Sequence, residues 1–165
     1  MFKSFFYIVA CAVVFLILIK VYDDSVPSQS AVAFEWEKTV DVYFVDKMDT
    51  KTKSCEATLP LKRTVLNAET LGPGAIEALI KGLTAEEVGS GKYLSSVNSK
   101  TLLQKFEIKN RVAYVDFGDA LNKGVVKSCT VVAIRSQIEN TLNALPDIDS
   151  VVISINGKTS GTLEP

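Results

Sequence analysis

Histidine is absent from this chain, and cysteine, methionine and tryptophan are scarce: three, two and one in 165 residues. Without an imidazole there is no Ser-His or Cys-His pair, and the commonest metal ligand is missing. No CxxC pair occurs, so the thiols make a poor zinc site. Neither GxxxxGK[ST] nor GxGxxG is present. The glycines at 89 and 91 follow a polar, helix-capping stretch rather than a buried strand, which argues against a cofactor loop. Ser96-Val97-Asn98-Ser99-Lys100 has the wrong spacing for an SxxK motif; only a Ser-Lys dyad assembled in space stays open. A basic excess is lacking too. Lys plus Arg number 18 against 19 acidic residues, and they are scattered, which speaks against a nucleic-acid surface. Repeats and low-complexity tracts are missing. The expectation is a protein with no metal and no cofactor, and one that is not an enzyme.

What is present begins at the amino terminus. Lys3-Ser4 leads into an unbroken apolar run, Phe5 to Ile19, closed by Lys20 and the pair Asp23-Asp24. Three readings fit it. As an uncleaved signal anchor, residues 4–22 would form a helix roughly 28 Å long, enough for the hydrocarbon core. Lys3 would then stay inside and the acidic pair outside. As a cleaved signal, Ala31-Val32-Ala33 has the small-x-small form that signal peptidase reads, but it lies far beyond the run. As a lipoprotein box, Ile8-Val9-Ala10-Cys11 matches letter by letter, yet the apolar run continues past it. The anchor fits best. It makes residues 1–24 a single-pass anchor or signal peptide, with the remainder outside the cytoplasmic membrane, or secreted if the signal is cut.

Residues 25–38 read as a linker, with Ser25 to Ala33 small and polar around Pro27. Residues 39–165 are one domain's worth of chain. Thr39–Val45 alternates, with Val40, Val42 and Phe44 on one face, and reads as a strand. Leu61–Leu66 is a weaker strand. Ile76, Leu79, Ile80 and Leu83 recur at helical spacing and mark a helix over Gly74–Gly82. Thr84-Ala85-Glu86-Glu87 is a capping-box pattern for a further short turn, and its acidic pair suits a helix start. Leu102–Lys109 and Val112–Phe117 are strands joined by a tight turn at Asn110-Arg111. Gly118–Lys127 reads as a loop. Val131, Ile134, Ile138, Leu142 and Leu145 mark a second helix, stopped by Pro146. Ser150–Asn156 is the last strand. The order predicts an α+β fold: one mixed sheet of about five strands, with two helices packed on one face.

Few residues invite chemistry. Cys55 and Cys129 fall in the exported domain, where an oxidising compartment would pair them. A redox or metal role lacks partners. Asp147 and Asp149 flank Ile148, but without further ligands at calcium-loop spacing they make no cation site. Asp116 lies inside the strand VAYVDF, where aspartate is disfavoured and needs a partner or an open face. Arg63, in LKRTV, is the expected mate in a structural ion pair; the alternative is a catalytic carboxylate. Phe34, Trp36, Tyr43 and Phe44 cluster near the linker. Trp36 either packs the domain's first strand, anchors a partner or meets the membrane interface.

The order of motifs resembles the GerMN domain of bacterial sporulation and spore-germination proteins. The resemblance rests on DVYFVD (41–46), LPLKRTV (59–65) with Arg63, AIEALIKGLTAEEVGSG (75–91), VAYVDFGDAL (112–121) and IRSQIENTLNALPDIDSVVISINGK (134–158). The resemblance covers residues 39–158. The family's Gly-Pro-Thr-x-x-Glu run has Leu83 in place of its proline here. The resemblance implies an envelope domain that binds or assembles rather than catalyses, with a fold like ring-building envelope modules. It also implies that Cys55 and Cys129 occur as a pair, as in one branch of these proteins. The expected partners are therefore the membrane, through the N-terminal helix, and an envelope protein, peptidoglycan or a second copy of the chain. A wall-modifying enzyme is the weaker alternative, since it needs an acid/base pair that only Asp116 begins to supply. A surface-fibre subunit is disfavoured, because no prepilin processing site precedes the apolar run.

Overall fold

The computed structural model describes residues 37–49, 54–66, 71–125, 128–159 and 163. The N-terminal apolar run, Cys11, Ala31-Val32-Ala33, Phe34 and Trp36 lie outside the described residues, and with them the anchor and the role of Trp36. Among the described residues, no helix is long and apolar enough to cross a membrane. The chain divides into a unit of residues 1–34 and a unit of 35–165, and every described element belongs to the second.

Strand β1 (Glu37–Asp46) runs antiparallel to β2 (Thr58–Leu66), and a two-residue strand, β3 (Tyr93–Leu94), pairs with the far end of β1. A second sheet contains β4 (Leu103–Lys109), β5 (Val112–Phe117) and β6 (Ser150–Ile155). β4 and β5 form an antiparallel hairpin, while β6 lies parallel to β5. Helix α1 (Leu71–Lys81) is followed by the short α2 (Ala85–Gly89), and α3 (Ser128–Asn143) precedes β6. The fold is α+β, as the sequence implies, but its strands form two three-stranded sheets, β2-β1-β3 and β4-β5-β6, rather than one.

The split has a visible cause on β1. The backbone N–H of Tyr43 donates to Thr141 Oγ1 at 2.9 Å, and its carbonyl accepts from Gln137 Nε2 at 3.4 Å. Both side chains come from α3 and both are fully buried. A buried strand edge must find partners for its peptide groups. Here a helix supplies them where another strand would have extended the sheet. Gln137 also accepts from the N–H of Ser96 at 2.8 Å, which fixes the loop after β3.

The core follows from the alternation. Val40, Val42 and Phe44 on β1 meet Ala75, Ile76 and Leu79 on α1 and Ile134, Ile138 and Leu142 on α3. Ala113, Val115 and Phe117 cover the same helices from the second sheet. Both α1 and α3 touch β1, while α1 also reaches β4 and α3 reaches β6, so one helix layer serves two sheets.

Most boundaries differ from the sequence expectation by one or two residues, and three differences have a physical reason. Helix α1 starts at Leu71, not Gly74, because Pro73 falls in the first turn, where the missing N–H has no helical acceptor to lose. Strand β2 starts at Thr58, and Pro60 is accommodated because β2 is an edge strand. Asp119–Leu121 forms a turn of 3-10 helix that buries Leu121, inside the segment read as a loop. The hairpin turn is as expected. Asn110 and Arg111 both take positive φ, 51° and 64°, the geometry of a type I′ turn.

Candidate functional site

Arg63 and Asp116, expected as mates, stand on different sheets and do not meet. Arg63 on β2 instead grips Glu87 in α2. Its Nη1 and Nη2 donate to the two carboxylate oxygens of Glu87 at 2.9 and 2.7 Å. Each side chain is 19 % exposed. Glu87 Oε2 also accepts the backbone N–H of Thr84 at 2.8 Å, and Thr84 Oγ1 accepts the N–H of Glu87. This is a complete capping box whose glutamate is at the same time one half of a bidentate ion pair. The Arg63 guanidinium lies 5.4 Å from the centre of the Phe44 ring, a cation–π distance. The hydrogen bonds from Arg63, joined by that from the Thr84 N–H, hold the Glu87 carboxyl below its ordinary value against the opposing pull of burial. A strand arginine with no neighbour of opposite charge, followed by a capping-box glutamate, was the signal in the sequence; the expectation assigned Glu87 only to its own helix.

Asp116 serves another junction. One of its carboxylate oxygens accepts from Ser154 Oγ on β6 and from the backbone N–H of Gly157 at 2.8 Å. The next link is Asn156, whose amide donates to Asp119 and whose oxygen accepts from Gln104 Nε2 at 3.0 Å. Asp116 therefore ties β5 to β6 and to the turn after it. Asp149 is likewise engaged. Arg111 donates to it through Nε and Nη2 at 2.6 and 2.7 Å, and Nη2 reaches the carbonyl of Pro146 at 2.9 Å. That pair is open to solvent; it lowers the Asp149 carboxyl and raises the Arg111 guanidinium. Among the described residues no three His, Cys, Asp or Glu side chains come together to hold a metal.

Cys55 precedes β2, and Cys129 sits in the first turn of α3. Their Sγ atoms are bonded at 1.99 Å. The bond joins the beginning of the edge strand to the helix that also caps β1. Nearby, Asn140 on α3 donates to Thr58 Oγ1 at 2.8 Å, so the same junction is held polar as well as covalent.

Among the described residues two open surfaces carry an exposed large apolar side chain over a groove. The first is the face of the β4-β5-β6 sheet turned away from the helices. The registers Glu107↔Tyr114↔Val152, Lys105↔Asp116↔Ser154 and Lys109↔Val112↔Ser150 put these side chains in a three-by-three array. At its centre Tyr114 is 42 % exposed. Glu107 bridges to Lys109 at 2.8 Å and to Lys105 at 3.5 Å. A groove of 440 Å³ crosses this face. The second surface lies beside α2, where Val88 and Leu94 are exposed over a groove of 390 Å³ floored by Ile80, Leu83 and Val97. Neither was foreseen, because array and groove arise only once the strands are in register.

The family model described as sporulation and spore germination matches residues 41–161. The chain belongs to the Germane family. This Germane domain is similar to the tandem GerMN domains of the sporulation protein GerM from Bacillus subtilis, at 20 % identity and a TM-score of 0.55. That match covers 82 % of this chain but only 43 % of the GerM chain, so the protein spans less than half the length of that tandem structure. The first GerMN domain of the same protein matches at 21 % identity and TM-score 0.54, covering 74 % of this chain and 85 % of that one. At these identities the likeness is one of fold. No curated protein matches. The family's proline, replaced by Leu83, is not needed for the cap: Thr84 keeps an extended backbone and the Thr84–Glu87 box forms in full.

Proposed function

We propose that this Germane-family protein is a membrane-tethered, non-enzymatic interaction domain on the outer face of a bacterial cytoplasmic membrane, where it holds an envelope component in place. The observation that carries the reading is the Cys55–Cys129 bond, since a structural disulfide belongs to an oxidising compartment. The apolar run from Phe5 to Ile19 supplies the route across the membrane. The non-catalytic part is supported by the work already assigned to the polar groups. Arg63, Glu87 and Asp116 each hold one element to another, whereas acid/base catalysis needs a group free to exchange a proton with substrate. The family description directs the first search for partners to sporulation and germination proteins.

The test is topology in living cells. A reporter active only outside the cytoplasm, fused after Pro165, should be active, and Cys55 and Cys129 should resist maleimide until reduced. An inactive reporter together with freely labelled thiols would sink the proposal. Crosslinking in the membrane then identifies what the domain holds.

A further inference from the structure

We propose that the open face of the β4-β5-β6 sheet is a binding site for the glycan strand of peptidoglycan, with Tyr114 as its platform. The inference rests on the extracytoplasmic placement proposed above, since the wall lies on that side.

The face differs from an ordinary solvated sheet in its centre. Solvent faces of sheets are commonly polar, yet here the middle position of the middle strand is a tyrosine, 42 % exposed. Val112 adjoins it along β5 and Val152 across on β6, both partly buried, so the ring stands at the corner of a small apolar patch. Hydrogen-bonding groups line the groove on the other sides of the ring: Glu107 and the two lysines along β4, Asp116 and Ser154 toward one end. A pyranose has the complementary build. Its C–H face is apolar and lies on an aromatic ring, while its rim of hydroxyls and amides needs donors and acceptors at the side.

Size and charge narrow the ligand. Strand spacing near 4.8 Å and a rise of about 3.3 Å per residue make the array roughly 10 Å by 13 Å, room for about two sugar rings. The positive charge is on one side only, with Lys105 and Lys109 both on edge strand β4. Peptidoglycan alternates two amino sugars, one of which carries an acidic lactyl-peptide arm. With the sugars across Tyr114, that arm projects over β4, where an ammonium group can exchange Glu107 for the ligand carboxylate. Among the described residues no further strand pairs with β4 or β6, so the sheet's own edges are left uncovered by strand.

The experiment is cosedimentation of the full chain, kept in mild detergent, with purified sacculi stripped of teichoic acids, at moderate salt. Wild type should pellet, and soluble muramidase fragments should compete. Tyr114→Ala should weaken binding about tenfold, while Tyr114→Phe stays within about threefold. Lys109→Glu should weaken binding in parallel, and its thermal melt checks that the loss is not unfolding. Failure of wild type to pellet, or equal pelleting of wild type, Tyr114→Ala and Lys109→Glu, would overturn the site. Such a failure beside an active external reporter would leave the interaction-domain reading intact and turn the search to a protein partner.

Discussion

The two sheets of this domain handle their charges in opposite ways. On the β2-β1-β3 sheet the most sheltered charge is turned inward. Arg63 lies over Phe44 and closes on Glu87, so the ion pair locks strand to helix cap. On the β4-β5-β6 sheet the charges of Lys105, Glu107 and Lys109 stand outward around an exposed tyrosine. The disulfide and the capping of Tyr43 also belong to the first half. The contrast teaches that one sheet is built to be held and the other to be presented. A residue's chemical type does not tell which: glutamate occurs in both settings, and only its neighbours decide whether it fastens the fold or stands on an open face.

Perturbations should separate the halves. Reducing Cys55–Cys129, which closes a loop of 74 residues in sequence, should cost about 4 kcal/mol on the chain-entropy model. Chemical denaturation with and without reductant measures it; an unchanged midpoint would remove the covalent lock from the comparison. Glu87→Ala should cost about 3 kcal/mol, because it strands a sheltered guanidinium and opens the cap of α2 together. The pH dependence sharpens the point. The folded-state carboxyl lies below its ordinary value of 4.5, so the unfolded chain binds the proton more readily. The stabilisation is present above that value and is lost as pH falls through the folded one. Glu87→Gln should therefore flatten part of the acid limb of a stability–pH profile, and an identical limb would break the assignment.

Smaller effects belong to the contacts between the halves and to the second sheet. Gly72→Ala should cost about 2 kcal/mol, since an added Cβ would fall 2.1 Å from Cζ of the Phe106 ring. Restoration of the midpoint by Phe106→Leu in the Gly72→Ala background would confirm that α1 and β4 meet there. Asp116→Ala should cost about 1–2 kcal/mol by leaving the Gly157 N–H and Ser154 without their acceptor. Amide exchange at Gly157 should rise with it. Arg111→Ala should produce no resolvable change in melting temperature, because its pair with Asp149 lies in solvent. A large loss there would mean that the second half is fastened by its surface after all.

Much of the fold was legible in the sequence because its periods are clean. The alternation at Val40, Val42 and Phe44, the helical spacing of Val131 to Leu142 and the Asn110-Arg111 turn each specify an element locally. What could not be read depends on partners distant in the chain. The division into two sheets follows from Thr141 and Gln137 reaching a strand almost a hundred positions earlier, and a polar residue on a helix does not announce which backbone it will satisfy. Asp116 was recognised as needing a partner and Arg63 was expected to supply it, whereas Arg63 pairs with Glu87. Asp116 was the only acid sought inside a strand, while Glu87 already had a sufficient local explanation as a helix cap. Strand β3 is too short for any periodicity. The Tyr114 array shows up only in register, since its members come from three separate strands.

The bond between Cys55 and Cys129 also bears on survival against proteases. It turns β2, α1, α2, β3, β4 and β5 into members of one covalent ring. A protease that nicks any connecting segment within that ring opens it but releases nothing. The two resulting pieces remain a single molecule, still joined at the root of α3. The domain can thus be cut once between its cysteines and keep every element attached.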